Sequence, residues 1–179
     1  MTGLRHSLQH QTAPDRESVV APLYTPEERR RRDATPWTLV QGILAPVQFL
    51  VFAVSLGLVC RTLLTGDGAT IAAGSVLLKT ACLMAIMVTG AIWEKVVYGQ
   101  YLFAKAFFWE DVFSMLVIAL HVAYVVALVS GTVDTRTQLL IALAAYAAYV
   151  VNATQFVLKL RAARLQERRE LLVAVGGAA

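Results

Sequence analysis

Four long apolar stretches, each broken by a few polar residues at helical spacing, dominate the chain. They run from about Trp37 to Cys60, Ala69 to Trp93, Phe108 to Ser130 and Gln138 to Leu160. Each is long enough to cross a hydrocarbon core of about 30 Å as ~20 residues of helix. A bacterial β-barrel would show alternating segments of about ten residues instead, so strands are not expected. Thr35-Pro36 opens the first stretch. Gly66-Asp67-Gly68 separates the first two, and Gly131-Thr132-Val133-Asp134 the last two. The pattern predicts an all-α integral membrane protein, a four-transmembrane-helix bundle.

The flanks read differently. Residues 1–23 are polar and without an apolar period, which predicts a disordered tail. No signal peptide is expected, because the first apolar run begins only at Trp37. Thr25-Pro26-Glu27-Glu28 combines a hydroxyl cap, a proline at the first helical position and a glutamate three residues after the cap. It starts a short basic helix over 24–36. The transmembrane domain then covers 37–170, since the fourth helix continues as a charged helix to about Glu170. A flexible tail, with Gly176-Gly177 ending the helix, is expected over 171–179.

Composition makes the membrane reading hard to avoid. Of 179 residues 58% are hydrophobic and 16% charged, and the mean hydropathy is +0.61. A single small soluble core could not hide that surplus. The two cysteines, Cys60 and Cys82, exclude a disulfide scaffold and show no metal spacing, so they read as packing residues.

The net charge of +4 is concentrated at the chain ends. Arg5, Arg16 and Arg29 to Arg32 precede the first span; Lys159, Arg161, Arg164, Arg168 and Arg169 close the last. The connection between spans two and three holds Lys95 and Lys105, whereas the other two hold only Arg61 and Arg136. The positive-inside rule then places both termini in the cytoplasm. The charge reports topology and gives no reason to expect nucleic acid.

Polar residues inside spans are expensive and face a partner or a cavity. Gln41, Gln48 and Ser55 follow a seven-residue repeat in the first span. Ser75 and Lys79 lie in the second, Glu110, Ser114 and His121 in the third, and Asn152, Gln155 and Lys159 in the fourth. Interhelical hydrogen bonding would account for the amides alone; stripes on all four helices suggest a polar interior that encloses a ligand. His121 is the only histidine in a span, which argues against a bis-histidine haem.

The stretch from Trp93 to Trp109 holds seven of the chain's 16 aromatics: Trp93, Tyr98, Tyr101, Phe103, Phe107, Phe108 and Trp109. Glu94 stands at one end, Glu110 and Asp111 at the other. An interfacial belt would explain aromatics here, but the other boundaries hold few. An aromatic mouth with three carboxylates suits a flat, apolar substrate that needs proton transfer.

The runs YTPEERRRRDATPWTLVQGILAPVQFLVF, IMVTGAIWEKVVYGQYLFAKAFFWEDVFSMLVIALHVAY and LAAYAAYVVNATQFVLKLRAARL closely resemble the vinyl (bacterio)chlorophyllide hydratase family of bacteriochlorophyll biosynthesis. The resemblance covers about residues 23 to 165. It implies addition of water to the C3-vinyl group of chlorophyllide a, or of its bacteriochlorin counterpart, to give 1-hydroxyethyl. It implies no cofactor beyond the magnesium that the substrate itself carries. A bacterial inner membrane, cytoplasmic or photosynthetic, is the implied location, with the bilayer and other enzymes of the pathway as partners.

Hydration of this kind needs an acid to protonate the terminal vinyl carbon and a held water to attack the resulting cation. Apolar surroundings disfavour a charged carboxylate, as the acid role requires. Glu110 and Asp111 diverge by about 100° on a helix and cannot face one point. The expected pair is therefore Glu110 as acid with Glu94 as base or water holder, interchangeable, and Asp111 in reserve. Trp93, Tyr98, Tyr101, Phe108, Trp109, Gln41, Asn152, Gln155 and His121 are the candidate substrate-binding residues. His121 reads either as a hydrogen-bonded packing residue, linked to Lys79 through a water, or as a ligand to the substrate's magnesium. Two other classes compete: a non-catalytic pigment-binding or assembly protein, and a small four-span transporter. The second is disfavoured because no carboxylate lies deep in a span.

Overall fold

The computed structural model describes residues 22–176. These form five helices, with no strand among the described residues: α1 (Pro26–Ala34), α2 (Pro36–Thr65), α3 (Ala69–Tyr98), α4 (Phe108–Ser130) and α5 (Thr135–Gly176). Helices α2 to α5 are each long and apolar enough to cross a membrane.

The start signals act as expected. The Thr25 hydroxyl accepts the Glu28 N–H at 3.3 Å, and the Glu28 carboxylate accepts the Thr25 N–H at 2.7 Å. This reciprocal pair satisfies two donors that a helix start leaves free. Thr35 then adopts an extended conformation, breaks α1 from α2, and caps the Trp37 N–H through its side chain.

The helices outrun the apolar stretches except at α4, whose limits coincide with the expected ones. Hydropathy marks only the part of a helix that meets hydrocarbon; the backbone continues until something stops it. For α2 the stop is Gly66, at φ 79°, and the turn re-enters α3 through Gly68, at φ 84°. Both angles lie in the left-handed region that only glycine adopts without penalty. The stretch from 171 begins as helix, because α5 runs on to Gly176. Residues 1–21 of the expected polar tail lie outside the described residues.

Neighbours in sequence pair in space: α2 lies along α3, and α4 along α5. The two hairpins meet across a seam. Leu39, Leu50, Val54, Leu78 and Val129 are exposed on the outer surface, as a bilayer-facing wall requires. The seam mixes Phe52, Val76, Val117 and Tyr146 with buried Gln48, Ser55, Lys79 and His121.

At one end α1 clasps the last turns of α5. Arg32 bonds Glu167 at 2.8 Å, and Arg29 reaches Glu167 at 3.4 Å and Glu170 at 3.2 Å. The Arg32 guanidinium also sits 4.7 Å from the centre of the Tyr24 ring. Burial pushes the Tyr24 phenol up, although the nearby Arg32 charge partly opposes it. The beginning and the end of the described chain thus share one end of the bundle, hereafter the basic end.

Candidate active site

The α3–α4 connection folds back over the basic end and delivers two backbone N–H groups to two acids. The Phe103 N–H donates to the Asp111 carboxyl at 2.7 Å, and the Ala104 N–H to the Glu94 carboxyl at 3.2 Å. Phe103 adopts φ 59°, the one non-glycine residue described with a positive φ. A bulky residue holds such an angle only when its surroundings dictate it. Here the Asp111 bond does so.

The Glu94 and Asp111 carboxyls, held by successive N–H groups of the connection, lie close to each other, and both are almost wholly buried, 5% and 2% exposed. Two carboxylates at close quarters away from water do not both keep their charge easily, so the arrangement suits a pair that holds one proton between them. Glu110 is engaged elsewhere. Its carboxylate lies 2.5 Å from the Lys159 ammonium, which also donates to the Ala106 carbonyl.

The expected Glu94–Glu110 pair is therefore replaced by Glu94–Asp111. The divergence of adjacent side chains on a helix holds as anticipated; which of the two faces α3 is the reverse. Asp111 turns to α3 and the folded-back connection, whereas Glu110 turns to α5 and its lysine.

The aromatics divide into two sets. Trp93, Tyr98 and Phe107 form an inner cluster, with ring centres 5.7 to 5.9 Å apart. Tyr24 stacks on Tyr98, and Phe156 on Phe107. The Trp93 indole N–H donates to the Thr38 hydroxyl at 3.0 Å. Tyr101, Phe108 and Trp109 are instead largely exposed, with Phe108 and Trp109 edge to face. The stretch thus supplies an inner wall beside the acids and an outer rim.

Farther from the basic end the polar stripes converge on the seam. Gln41 donates to Thr89 at 2.7 Å, tying α2 to α3. The Asn152 amide donates to Ser114 at 2.8 Å, tying α5 to α4, which leaves its carbonyl oxygen buried and without a partner among the described residues. The Gln155 carbonyl oxygen is likewise unpartnered. Ser55 bridges to Ser75 at 2.7 Å and to the Tyr146 hydroxyl at 2.6 Å.

His121 is fully buried, and its Nδ1 lies 2.8 Å from the Val117 carbonyl. A carbonyl only accepts, so Nδ1 carries the hydrogen and Nε2 presents a lone pair to the seam. That Nε2 has no hydrogen-bond partner among the described residues. A hollow of about 220 Å³ lined by Leu50, Val51, Val54, Ser75 and Leu78 opens beside α2 and α3 and includes none of the acids.

Several site features were not anticipated: the Lys159–Glu110 pair, the N–H groups of Phe103 and Ala104, and the seam tyrosines Tyr124, Tyr146 and Tyr149. The tyrosines did leave a signal, since each is a polar hydroxyl inside an apolar stretch. The backbone donors left none.

The family model described as 2-vinyl bacteriochlorophyllide hydratase matches residues 24–162. The chain belongs to this family. A protein named 2-vinyl bacteriochlorophyllide hydratase from Rhodobacter capsulatus is 68% identical over 148 residues, 83% of this chain and 86% of that one. Another of the same name from Cereibacter sphaeroides is 68% identical over 143 residues, 80% of this chain and 89% of that one. No solved structure matches. The family match includes both acids of the buried pair, the inner aromatic cluster beside them and the seam.

Proposed function

We propose that this chain hydrates the vinyl group of chlorophyllide a, or of the corresponding bacteriochlorophyllide, to 1-hydroxyethyl. Family membership supports the reaction class, and the relatives' names supply the substrate type. Within the site, one observation carries the mechanism: two buried carboxyl groups, Glu94 and Asp111, held side by side by the Ala104 and Phe103 N–H groups.

The pair gives its proton to the terminal vinyl carbon, turning it into a methyl group. The positive charge left on the neighbouring carbon is delocalised into the macrocycle. Water attacks that carbon through oxygen and returns its surplus proton to the pair. One water is added, the pair is regenerated, and no electrons are exchanged, so the reaction calls for no redox cofactor. Magnesium enters only as part of the substrate.

In this reading Glu94 and Asp111 take the acid and base roles, and Glu110, neutralised by Lys159, holds the connection in place. Trp93, Tyr98 and Phe107 form the wall against which the flat ring lies. Tyr101, Phe108 and Trp109 form the rim it crosses from the bilayer. The free carbonyls of Asn152 and Gln155 are acceptors for the substrate or its water. The basic end faces the cytoplasm of a bacterial inner membrane, by the positive-inside rule.

The test is incubation of the purified protein with chlorophyllide a and no added redox cofactor. A product heavier by one water supports the hydratase. Unchanged pigment recovered in complex with the protein would make it a binding or assembly protein.

A further inference from the structure

Lys79 is the most costly residue in the seam. It is fully buried, its ammonium nitrogen has no hydrogen-bond partner among the described residues, and its contact for charge is the Tyr149 ring, 3.7 Å away. An aromatic face offsets part of the cost of a buried cation but does not replace a counter-ion. No described acid is in reach. Glu94, on the same helix, is ~22 Å distant at the standard rise, and Asp67, across the turn, ~18 Å.

Two further orphans share its surroundings. His121 Nε2 is an acceptor without a partner among the described residues, and Val76 and Leu83, a turn to either side of Lys79, pack in one cluster with Val117 and Tyr124, a turn to either side of His121. The Tyr124 hydroxyl is buried without a partner among the described residues, in that same cluster with Tyr146, whose ring lies 5.9 Å from His121. Buried polar atoms without partners are rare and call for a ligand or water. Here a cation, a hydroxyl donor and an acceptor line one stretch of the seam with no anion among the described residues.

We propose that Lys79, supported by His121 and Tyr124, is a binding subsite for the free carboxylate of the tetrapyrrole substrate. This rests on the hydratase reading. A chlorophyllide is by definition the free acid, so its macrocycle carries a carboxylate on a short chain away from the vinyl group. Asp111 and His121 are ~15 Å apart along α4, and Glu94 and Lys79 ~22 Å apart along α3, a span that a macrocycle with its carboxylate chain covers together with the long side chains of Lys79 and Glu94. The carboxylate supplies the counter-ion that Lys79 lacks, and the vinyl group reaches Glu94 and Asp111. The ring therefore enters between the hairpins with its plane along the helices.

The test compares binding of chlorophyllide a and of its carboxyl methyl ester, in wild type and in Lys79→Met, by absorption and fluorescence of the bound pigment. Wild type should prefer the free acid by about tenfold or more, the range of a buried charge-assisted bond. Lys79→Met should lose that preference while unfolding at an equal or higher temperature, because it removes an unpaired buried charge. Comparing ratios between the two proteins cancels the ester's greater affinity for lipid.

A wild type that does not distinguish acid from ester yet still hydrates chlorophyllide overturns the subsite and leaves the function standing. A Lys79→Met protein that keeps the preference, or that loses stability while keeping it, makes the lysine structural. Failure of both pigments to bind would overturn the subsite and the hydratase reading together.

Discussion

Exchanging one oxygen of Asp111 for nitrogen separates the acid pair from its neighbour more cleanly than any other change. In Asp111→Asn the side-chain carbonyl can still accept the Phe103 N–H, now at 2.7 Å, and the new NH₂ can donate to Glu94. Both bonds survive, so the loss of stability should be about 1 kcal/mol or less. What disappears is the transferable proton. A positioned acid or base contributes about 10²–10⁴-fold, or ~3–5 kcal/mol of barrier.

Glu110→Gln perturbs differently. It turns the 2.5 Å ion pair with Lys159 into a charged–neutral bond, while Lys159 keeps the Ala106 carbonyl. The lysine side chain is 28% exposed, so solvent tempers the loss to about 1–2 kcal/mol of stability. Turnover by the folded fraction should fall only a few-fold. The assay is initial-rate formation of the hydrated pigment, normalised to folded protein, with binding measured separately. Loss of turnover in Glu110→Gln with full turnover in Asp111→Asn would refute the pairing and return the acid role to Glu110.

Two further predictions concern the basic end and the topology. Because the folded Tyr24 phenol sits above its ordinary range of about 10, its contribution to the α1–α5 clasp is complete below that pH and declines as pH rises through the folded value. Alkaline release of the 161–176 stretch, followed by proteolysis, should therefore weaken in Tyr24→Phe; an unaltered alkaline transition in that variant would reject the assignment. Cysteines placed at Gly66 and Asp134 should react only from the side opposite the termini, and labelling of position 134 from the cytoplasmic side would overturn the orientation.

The number, type and approximate limits of the helices are legible in one dimension. A bilayer demands about 20 apolar residues per crossing and full backbone satisfaction within each segment. That is a local requirement, met locally: Thr25 and Glu28 cap α1, Gly66 and Gly68 make the turn, and α4 starts and stops where its apolar run does. The inward faces are legible too, because an intramembrane polar residue has nowhere cheaper to go. Gln48, Ser55, Lys79, Ser114, His121 and Asn152 are all buried, as their spacing indicates.

The partners of those inward residues belong to three dimensions. Glu110 and Asp111 are adjacent and both acidic, and nothing in their spacing says which one turns to α3. That depends on the rotation of α4 against α3 and α5, set by packing along the whole seam. It depends equally on Phe103 and Ala104, whose peptide N–H groups reach the acids only because the connection folds back. Every residue but proline has such an N–H, so no side-chain pattern can announce it. Lys79 shows the same division: its cost is written in the order of residues, whereas its isolation from every described acid, and its place over the Tyr149 ring, arise only when four helices close around it.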